Sequence, residues 1–493
     1  MSQFPDPTAP PPLNIPPSNH VVKLSIIDTT ARVNGLGCSM FLGPAIKGHE
    51  YLSGPAYGFL IENESGIKIL FDMGVPQKWE NSAPTIVDLV RKLGWDITVT
   101  KNVSDILLEN DVALESISTI IWSHFHWDHT GDPSLFPSTT SLTVGPGFKA
   151  NMLPGYPANP NSPILESAYK DRELVEVSFD QNPELRIGEF RALDYFGDGS
   201  FYLLDSPGHA IGHICGLART TPDSFVFLGA DICHHSGELR PTEYLPLPNS
   251  ISPNPFPGKV KGIVCPGSIL LDLHPQHSAT EPFYRISNGG ANDLPEAQKS
   301  LNKLMNFDCY ENIFTIIAHD AALLDIVDFF PKTLNDWKDK KYREKGLWKF
   351  VADFKEASAP TSENMPKSRS VFAKRMALLS QIFMKPKVGP NGPRIAYTFK
   401  KGRRSKPKSG ATRISAEWKF VEGLGYIRAD ATPPRSRAAK TAGAFERSSH
   451  SSVPVEAADA KICSELIALS EIEGMEKIPR PSSMRDRILA RLR

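Results

Sequence analysis

From residue 123 to 132 the chain reads Ser123-His124-Phe125-His126-Trp127-Asp128-His129-Thr130-Gly131-Asp132, so three imidazoles and a carboxylate fall within six positions. An apolar, β-branched run at 118–122 comes directly before it, which is typical of a buried strand. Neutral imidazole and carboxylate are ligands that zinc, iron and manganese accept in proteins. A turn at a strand end can direct the first two histidines toward one ion and Asp128 with His129 toward another. A histidine-rich surface loop is the alternative, and the preceding apolar strand argues against it.

Two metal ions need more ligands than one short stretch supplies. Three further candidates lie where an apolar or strand-like run meets a turn, namely His209, Asp231 and His319. Taken singly, each residue type is more often an ordinary polar group in a turn. Together with the first cluster, they predict one site built from far-apart stretches of the chain.

The apolar patterns around these residues predict a layered fold. Strands and helices alternate in blocks, as they do in a layered mixed α and β sandwich. Short β-branched runs predict strands at 21–27, 57–61, 67–71, 118–122, 190–193, 201–205, 213–218, 224–228 and 313–318. Three-to-four spacing predicts helices near 86–93, 104–108, 295–305 and 321–330.

The composition divides the chain into three regions. The 493 residues, 40% of them apolar, suffice for one or two domains with filled cores. Residues 1–20 are rich in Pro and predict a flexible arm, and residues 21–355 carry the strand and helix patterns. Residues 356–493 are rich in Pro, Ser, Lys and Arg, which predicts a basic tail of low order or a small appended module.

Cysteine usage and the first residues bear on location. The six cysteines are scattered without a C-x-x-C pair, as expected for reduced thiols inside a cell. The amino-terminal stretch lacks the layout of a signal peptide, and no apolar run is long enough for a membrane span. We therefore expect a cytoplasmic protein without membrane attachment.

The order of these residues resembles that of a known superfamily. His-x-His-x-Asp-His, then Gly-His, then Asp, then His, after a strand ending Leu70-Phe71-Asp72-Met73-Gly74, resembles the metallo-β-lactamase superfamily. Within it, the chain is most similar to the lactonase-type branch, which includes N-acyl homoserine lactonases and their fungal relatives. The resemblance covers about Val21 to Phe354. It implies an α+β fold, the αββα metallo-β-lactamase sandwich, followed by a basic, partly disordered C-terminal extension.

The resemblance also implies a site with two metal ions, expected to be zinc, with iron or manganese as alternatives. It implies that Asp72 supports the loop of ligands and that His213 orients neighbouring chain rather than binding metal. The implied ligands are His124, His126 and His209 for the first metal, Asp128, His129 and His319 for the second, and Asp231 as the bridge.

The chemistry that such a centre implies is hydrolysis. Two divalent ions roughly 3.5 to 4 Å apart lower the pKa of a shared water toward 7, which gives hydroxide at neutral pH. The resemblance implies attack of this metal-bound hydroxide on a carbonyl carbon, with a lactone or lactam ring as the leading substrate. Asp128 is expected to accept and return a proton.

The chain departs from the bacterial lactonases at one catalytic position. Those enzymes place a tyrosine three residues after the bridging aspartate, where this chain has His234. Either His234 polarises the carbonyl instead, or Tyr244 or Tyr284 reaches in from a loop; a solvated His234 and His235 pair on a turn is equally open. The cavity walls are expected from Phe125, Trp127, residues 145–156 and residues 239–256.

Other functions remain open at this point. Acyl-thioester hydrolysis, as in glyoxalase II or a thioesterase of secondary metabolism, uses the same chemistry and comes second. A metal-dependent nuclease is disfavoured because the basic charge lies in a separable tail, although that tail could bind nucleic acid weakly. A flavin-coupled diiron protein is disfavoured because that branch has glutamate at the position of His126, and a binding protein without activity because every ligand position is filled. We expect a small-molecule substrate, and nothing in the sequence points to an oligomeric state.

Overall fold

The computed structural model describes residues 4–357 and the backbone of two later strands, Trp418–Val421 and Gly425–Arg428. The chain divides into two compact units, and these two strands, which pair antiparallel, lie in the second unit. The remainder of the predicted basic tail lies outside the described residues. The predicted domain boundaries at 20 and 355 stay predictions.

Two six-stranded sheets form the centre of the first unit. The strands are β1 (Val22–Asp28), β2 (Arg32–Gly37), β3 (Leu42–Gly43), β4 (Tyr51–Gly54), β5 (Tyr57–Asn63), β6 (Lys68–Phe71), β7 (Asp96–Thr98), β8 (Ile117–Ile121), β9 (Ser141–Val144), β10 (Leu174–Glu176), β11 (Arg186–Ile187), β12 (Phe190–Asp194), β13 (Phe201–Asp205), β14 (Ile214–Thr221), β15 (Ser224–Ala230), β16 (Ser250–Ile251), β17 (Cys265–Pro266), β18 (Arg285–Ile286) and β19 (Ile313–Ile317). The first sheet has the order β1-β5-β6-β8-β9-β10, and the second has the order β11-β12-β13-β14-β15-β19.

Helices and 3-10 turns connect the strands. The α-helices are α1 (Cys38–Phe41), α2 (Pro84–Leu93), α3 (Val103–Leu108), α4 (Trp127–Thr130), α5 (Phe148–Met152), α6 (Gly267–Leu273), α7 (Leu294–Asp308) and α8 (Tyr342–Gly346). The 3-10 turns are Trp79–Asn81, Leu114–Ser116, Pro133–Leu135, Glu166–Ala168, Ser236–Glu238, Ala321–Asp325 and Lys349–Phe354. The predicted helix at 321–330 is wrong beyond its first turn, because the Phe330 N–H donates to the Ile26 carbonyl in β1 instead of continuing a helix.

Apolar side chains from both sheets share one core. Leu24, Ile61 and Phe71 of the first sheet pack in the same buried cluster as Leu203 and Leu228 of the second. These residues are fully buried or nearly so, and each lies on the strand face that points to the other sheet. The two sheets are therefore the inner layers of a sandwich.

Helices cover the outer faces of both sheets. Leu301 and Phe307 of α7 pack against Phe227 in the second sheet. Leu107 of α3 packs with Ile120 in the first sheet. Helix α7 forms where the sequence provides a start signal, because the Asp293 side chain accepts a hydrogen bond from a backbone N–H in the first turn and Pro follows at N2. The predicted αββα sandwich is confirmed.

The amino-terminal residues differ from the predicted flexible arm. Residues 4–20 have no helix or strand, but Leu13 is buried against the second sheet. The Pro11 and Pro16 carbonyls accept hydrogen bonds from the Tyr310 hydroxyl and the Arg219 guanidinium. Proline removes a backbone donor but keeps its carbonyl, so a Pro-rich stretch can still be fixed along a surface through its acceptors.

Among the described residues, no helix is long and apolar enough to cross a membrane. Their cysteines, Cys38, Cys215, Cys233, Cys265 and Cys309, are free thiols.

Candidate metal centre and active-site cavity

The predicted ligands follow the ends of strands that meet at one edge of the sandwich. Strand β8 leads into His124, and β13 leads into the turn of His209. Asp231 follows β15 and His319 follows β19, and these two strands run parallel, so both residues emerge at the same edge. The register between β15 and β19 shifts just before Asp231, at Leu228 and Ala230. This irregularity is typical of strand ends beside functional sites.

Three imidazoles converge at the first set of predicted ligands. Nε2 of His209 lies 3.2 Å from Nε2 of His124 and 3.0 Å from Nδ1 of His126. Ligand atoms of a tetrahedral zinc ion with bonds of about 2.0–2.1 Å lie about 3.3 Å apart, so this spacing suits a shared cation. His124 and His209 are buried, and His126 is partly exposed.

Asp231 faces both sets of predicted ligands, one with each carboxylate oxygen. Its Oδ1 lies 3.1 Å from Nε2 of His129 and 3.0 Å from Nε2 of His319. Its Oδ2 lies 3.5 Å from Nε2 of His209 and 3.9 Å from Nε2 of His124. The structure thus brings all seven predicted ligands together, including Asp128, whose Oδ2 is 3.6 Å from Nε2 of His319.

Hydrogen bonds at the far side of the rings determine which nitrogen carries a lone pair. Nδ1 of His209 lies 2.9 Å from the Gly290 carbonyl, and Nδ1 of His319 lies 2.7 Å from the Pro55 carbonyl. A carbonyl can only accept, so each Nδ1 carries the proton. In the neutral ring the lone pair therefore lies on Nε2, facing the centre, which is the arrangement found in histidines that ligate metals.

Asp72 connects the centre to the first sheet. Its Oδ2 accepts from Nδ1 of His129 at 2.8 Å, which leaves Nε2 of that ring free to ligate. The same carboxylate accepts from the backbone N–H and the hydroxyl of Ser123, both at 2.7 Å. Asp72 follows β6, which is parallel to β8, so it can reach the start of the ligand loop. The implied supporting role of Asp72 agrees with these contacts.

His213 lies beside the centre and has both nitrogens engaged. Its Nδ1 lies 3.0 Å from the Ser206 carbonyl and donates to it, and its Nε2 accepts from the Asp231 backbone N–H at 3.3 Å. Burial lowers the pKa of His213 to about 3, so the ring is neutral. It positions the backbone of Asp231 rather than offering a lone pair to a cation.

Gly208 allows the turn that places His209. Its φ is +122°, a backbone conformation that L side chains rarely adopt. A Cβ there would lie 2.0 Å from the Ala297 backbone nitrogen at the start of α7. The Gly-His pair in the sequence is thus required by close contact between this turn and the helix.

Burial and the neighbouring carboxylates shift the pKa values of the predicted ligands in opposite directions. Burial lowers the pKa of His126 to about 4, and burial also holds the pKa values of His124 and His209 well below their usual range. Burial opposes charging of His319 as well, but the neighbouring Asp231 outweighs it and raises the pKa to about 9. The first set therefore offers neutral imidazoles, whereas the second set holds a proton that a cation has to displace.

The donor set fits divalent cations. In the protein alone, Nε2 of His129 and Oδ1 of Asp231 are buried without a well-directed hydrogen bond, although the two atoms are close together. Buried polar atoms without partners carry a large free-energy cost, and a cation between them relieves it. Imidazole with carboxylate suits zinc, iron or manganese.

His234 is the residue found at the position where the bacterial enzymes have tyrosine. Its side chain is 6% exposed, lines the cavity, and has Nε2 3.4 Å from Oδ2 of Asp231. Both of its ring nitrogens are buried without a hydrogen bond in the protein. Tyr244 and Tyr284 do not line the cavity. The alternative of a solvated histidine pair is wrong, because His235 is buried too.

A cavity of about 530 Å³ opens above the ligands. Phe125 and Trp127 line it as predicted, but residues 145–156 and 239–256 do not, so that part of the prediction is wrong. Other parts of the chain provide the walls instead, among them β2 and β4, which pair in a separate small sheet. The apolar wall includes Val33, Leu36, Met40, Phe41, Leu52, Ile86, Leu89, Trp95, Phe125, Trp127 and Phe350.

Two polar residues of the cavity, His49 and Asp353, belong to no motif in the sequence and were not predicted. They meet His235, and one ligand-type atom from each of the three lies within 4.8 Å of the others. We call these three residues the second histidine cluster. His49 lies in an irregular loop and Asp353 in a 3-10 turn far along the chain, without any motif that relates them. Only His235 had a signal, its position next to His234.

Comparison with known proteins identifies the family. No protein-family model matches the chain. Gamma-lactamase FDB1 of Fusarium pseudograminearum is 43% identical over 365 residues, which cover 72% of this chain and 87% of that protein. Metallo-hydrolase mfmC of Annulohypoxylon moriforme is 42% identical over 355 residues, which cover 71% of this chain and 91% of that protein. The chain belongs to the metallo-β-lactamase superfamily. The predicted family is thereby confirmed, and the chain is a hydrolase of this lactamase and lactonase type.

Among solved structures, an N-acyl homoserine lactone hydrolase with the product N-hexanoyl-L-homoserine at its metal centre is similar to this metallo-hydrolase. The two are 18% identical with a TM-score of 0.42, and the match covers 64% of this chain and 99% of that one.

Proposed function

We propose that this metallo-hydrolase opens a five-membered lactam ring, or the corresponding lactone, at a centre of two zinc ions. The relative named gamma-lactamase supports the substrate class, because it matches this chain along most of its length. Imidazole and carboxylate donors support zinc as the metal.

The observation that carries the proposal is the orientation of Asp231. One of its oxygens faces His129 and His319, and the other faces His209 and His124. A carboxylate that divides its oxygens between two sets of imidazoles suits a bridge between two cations. We assign one cation to His124, His126 and His209, and the other to Asp128, His129 and His319.

When bound, two such cations lower the pKa of a water molecule and polarise a carbonyl group. The residues of the chain position the reactants around this chemistry. Carbonyl acceptors and Asp72 hold the rings of His209, His319 and His129 in fixed tautomers, so the ligands need no rearrangement. Such preorganisation is a main source of catalytic rate.

Asp128 and His234 are the proposed catalytic residues. Both line the cavity, and the Asp128 side chain is 13% exposed, so it can contact a substrate. Asp128 accepts a proton from water and returns it to the ring nitrogen or oxygen as the ring bond breaks. His234 has free ring nitrogens in the protein, and an N–H there can donate to the carbonyl oxygen as negative charge develops on it.

The cavity suits an apolar substrate with a polar reacting end. Its volume lies within the range of about 300–1,000 Å³ that is usual for small-molecule sites. The stacked indoles of Trp95 and Trp127, with ring centroids 6.2 Å apart, form one apolar side. An apolar wall beside the ligands holds the ring and excludes bulk water from the reacting group.

A substrate panel with zinc-loaded full-length protein tests this function. The panel contains γ-lactams, γ-lactones, larger rings and acyl thioesters, and the measured quantity is kcat/KM. We expect the highest values for five-membered rings and loss of turnover in Asp231→Asn, whereas Asp325→Asn, at an exposed carboxylate outside the cavity, keeps wild-type values. Higher turnover of thioesters, or equal turnover in Asp231→Asn, contradicts the proposal.

A further inference from the structure

The second histidine cluster lies in the same cavity as the candidate metal centre. His49, His235 and Asp353 all line this cavity. His49 is held by the Tyr284 hydroxyl, 2.7 Å from its Nδ1, and His235 is enclosed by the rings of Tyr284 and Phe350. The two imidazoles lie against each other, with ring centroids 4.9 Å apart. The cluster is thus a fixed polar patch in an otherwise aromatic part of the wall.

Its composition of two imidazoles and one carboxylate resembles a third cation site, but the hydrogen bonds of His235 oppose that interpretation. The Gly237 backbone N–H donates to Nδ1 of His235 at 3.0 Å, so Nδ1 holds the lone pair. The proton of the neutral ring is therefore on Nε2, which lies 3.2 Å from Oδ2 of Asp353 and donates to it. A cation at Nε2 would need both ring nitrogens to be without a proton, which is unfavourable for imidazole.

Asp353 is the acceptor that remains available to a ligand. Its side chain is 54% exposed, and among residues 4–357 its ion-pair partner is His235 rather than a lysine or arginine. His235 engages Oδ2, and Oδ1 has no hydrogen bond from this part of the chain. A carboxylate oriented by one donor, with its second oxygen open to a cavity, suits a hydroxyl or amino group.

We propose that Asp353, oriented by His235, is a specificity-determining residue that accepts a hydrogen bond from a hydroxyl or amino group on the non-reacting part of the substrate. This proposal rests on the proposed function, because it concerns the same cavity. The ring to be opened lies at the metal centre, and the apolar wall holds the body of the substrate between that centre and Asp353. Substrates of this class carry an unblocked hydrogen-bond donor away from the scissile bond.

Matched substrates test this role of Asp353. The probes are aryl γ-lactams that carry a phenolic hydroxyl in different ring positions, each paired with its methoxy counterpart. A charge-assisted hydrogen bond predicts that wild-type protein prefers the best hydroxyl compound by about tenfold in kcat/KM. In Asp353→Ala we expect this ratio to fall to within about twofold of one, with the methoxy compounds unchanged. Asp325→Ala, at an exposed carboxylate outside the cavity, is the control.

A binding measurement separates this proposal from the proposed function. Trp95 and Trp127 line the cavity, so their fluorescence reports binding of the same lactams even if none is hydrolysed. Weaker binding of the hydroxyl compounds alone in Asp353→Ala supports the proposal. An unchanged preference, an equal loss for both compounds of a pair, or a loss of bound zinc in Asp353→Ala overturns it. Absence of turnover with a retained binding preference contradicts only the proposed function.

Discussion

Two clusters of histidine and aspartate line one cavity, yet their hydrogen bonds give them different chemistry. In the candidate metal centre, Nδ1 of His209 and Nδ1 of His319 donate to carbonyl groups, so the lone pair of each ring in its neutral form lies on Nε2. In the second histidine cluster, Nδ1 of His235 accepts from a backbone N–H, so its Nε2 offers a proton. Residue types alone do not distinguish a metal ligand from a hydrogen-bond donor. The hydrogen-bond partner of the ring nitrogen that faces away from the site makes this distinction.

The carboxylates of the two clusters also differ in burial and in their charged neighbours. Asp231 is 4% exposed and lies among five imidazoles; burial alone would raise its pKa, but the neighbouring imidazoles, His319 foremost, hold that pKa well below its usual range. Asp353 is exposed by more than half and contacts one imidazole. A buried carboxylate enclosed by imidazoles suits cations, whereas an exposed one suits a ligand that arrives from solvent.

The largest expected effect is at Asp231. Asp231→Asn keeps the shape of the side chain but removes the charge shared by the two sets of ligands. We expect kcat/KM to fall by on the order of 10³-fold or more, with loss of about one of the two bound zinc ions. Metal analysis of dialysed protein and kinetics with a γ-lactam check both results. Retention of two zinc ions would show that Asp231 does not bridge them.

The next effect concerns His234, which faces the centre without a hydrogen bond. His234→Phe keeps an aromatic ring against Phe41 but removes the donor. We expect kcat to fall by on the order of 10²-fold while the zinc content stays at the wild-type value. His234→Gln retains an N–H and should recover part of the rate. A parallel loss of zinc would instead make His234 a ligand.

A smaller effect is expected at Asp72, which holds one ring of the centre through its far nitrogen. Asp72→Asn removes the negative acceptor of the His129 Nδ1–H. We expect zinc affinity to fall by about 10–100-fold, as is usual for groups that orient metal ligands. Competition with a chelator measures this affinity. Asp353→Asn, at the second histidine cluster, serves as the comparison and should leave it unchanged.

The smallest expected effect is the number of protons released when zinc binds. The pKa of His319 is raised to about 9, so at pH 7 the metal-free ring is protonated. A cation has to displace this proton, so zinc binding at pH 7 should release about one proton from this ring, and affinity should rise with pH until about 9. Calorimetry in buffers with different ionisation enthalpies measures the release. In His319→Gln it should drop by about one proton. Equal heats in all buffers would contradict the assignment.

The sequence predicted which side chains the structure brings together at the candidate metal centre, because each follows a strand that also has an apolar pattern. The run before His124 and the run before His319 both form strands, β8 and β19, close to the predicted residues. Ligands at strand ends share one edge of the sandwich, so their position follows from secondary structure and topology. The hydrogen bonds that orient them, such as that from His209 to the Gly290 carbonyl, join residues too far apart to be predicted from a local pattern.

The cavity walls could not be predicted in this way. Residues 145–156 are near the ligand loop in sequence but do not line the cavity. Part of the wall comes from irregular loops, such as that of His49, and from the 3-10 turn of Asp353, whose positions depend on tertiary packing rather than on a periodic pattern. The same dependence on tertiary packing explains why the contacts of the amino-terminal residues were not predicted. Their composition is typical of flexible chain, yet Leu13 packs in a buried cluster against the second sheet.

Anomalous diffraction at the zinc edge, from crystals of zinc-loaded protein, tests the difference between the two clusters most directly. We predict two peaks, one on each side of the Asp231 carboxylate, and none between His49, His235 and Asp353. A single peak beside Asp231, or a peak within the second histidine cluster, would contradict this account.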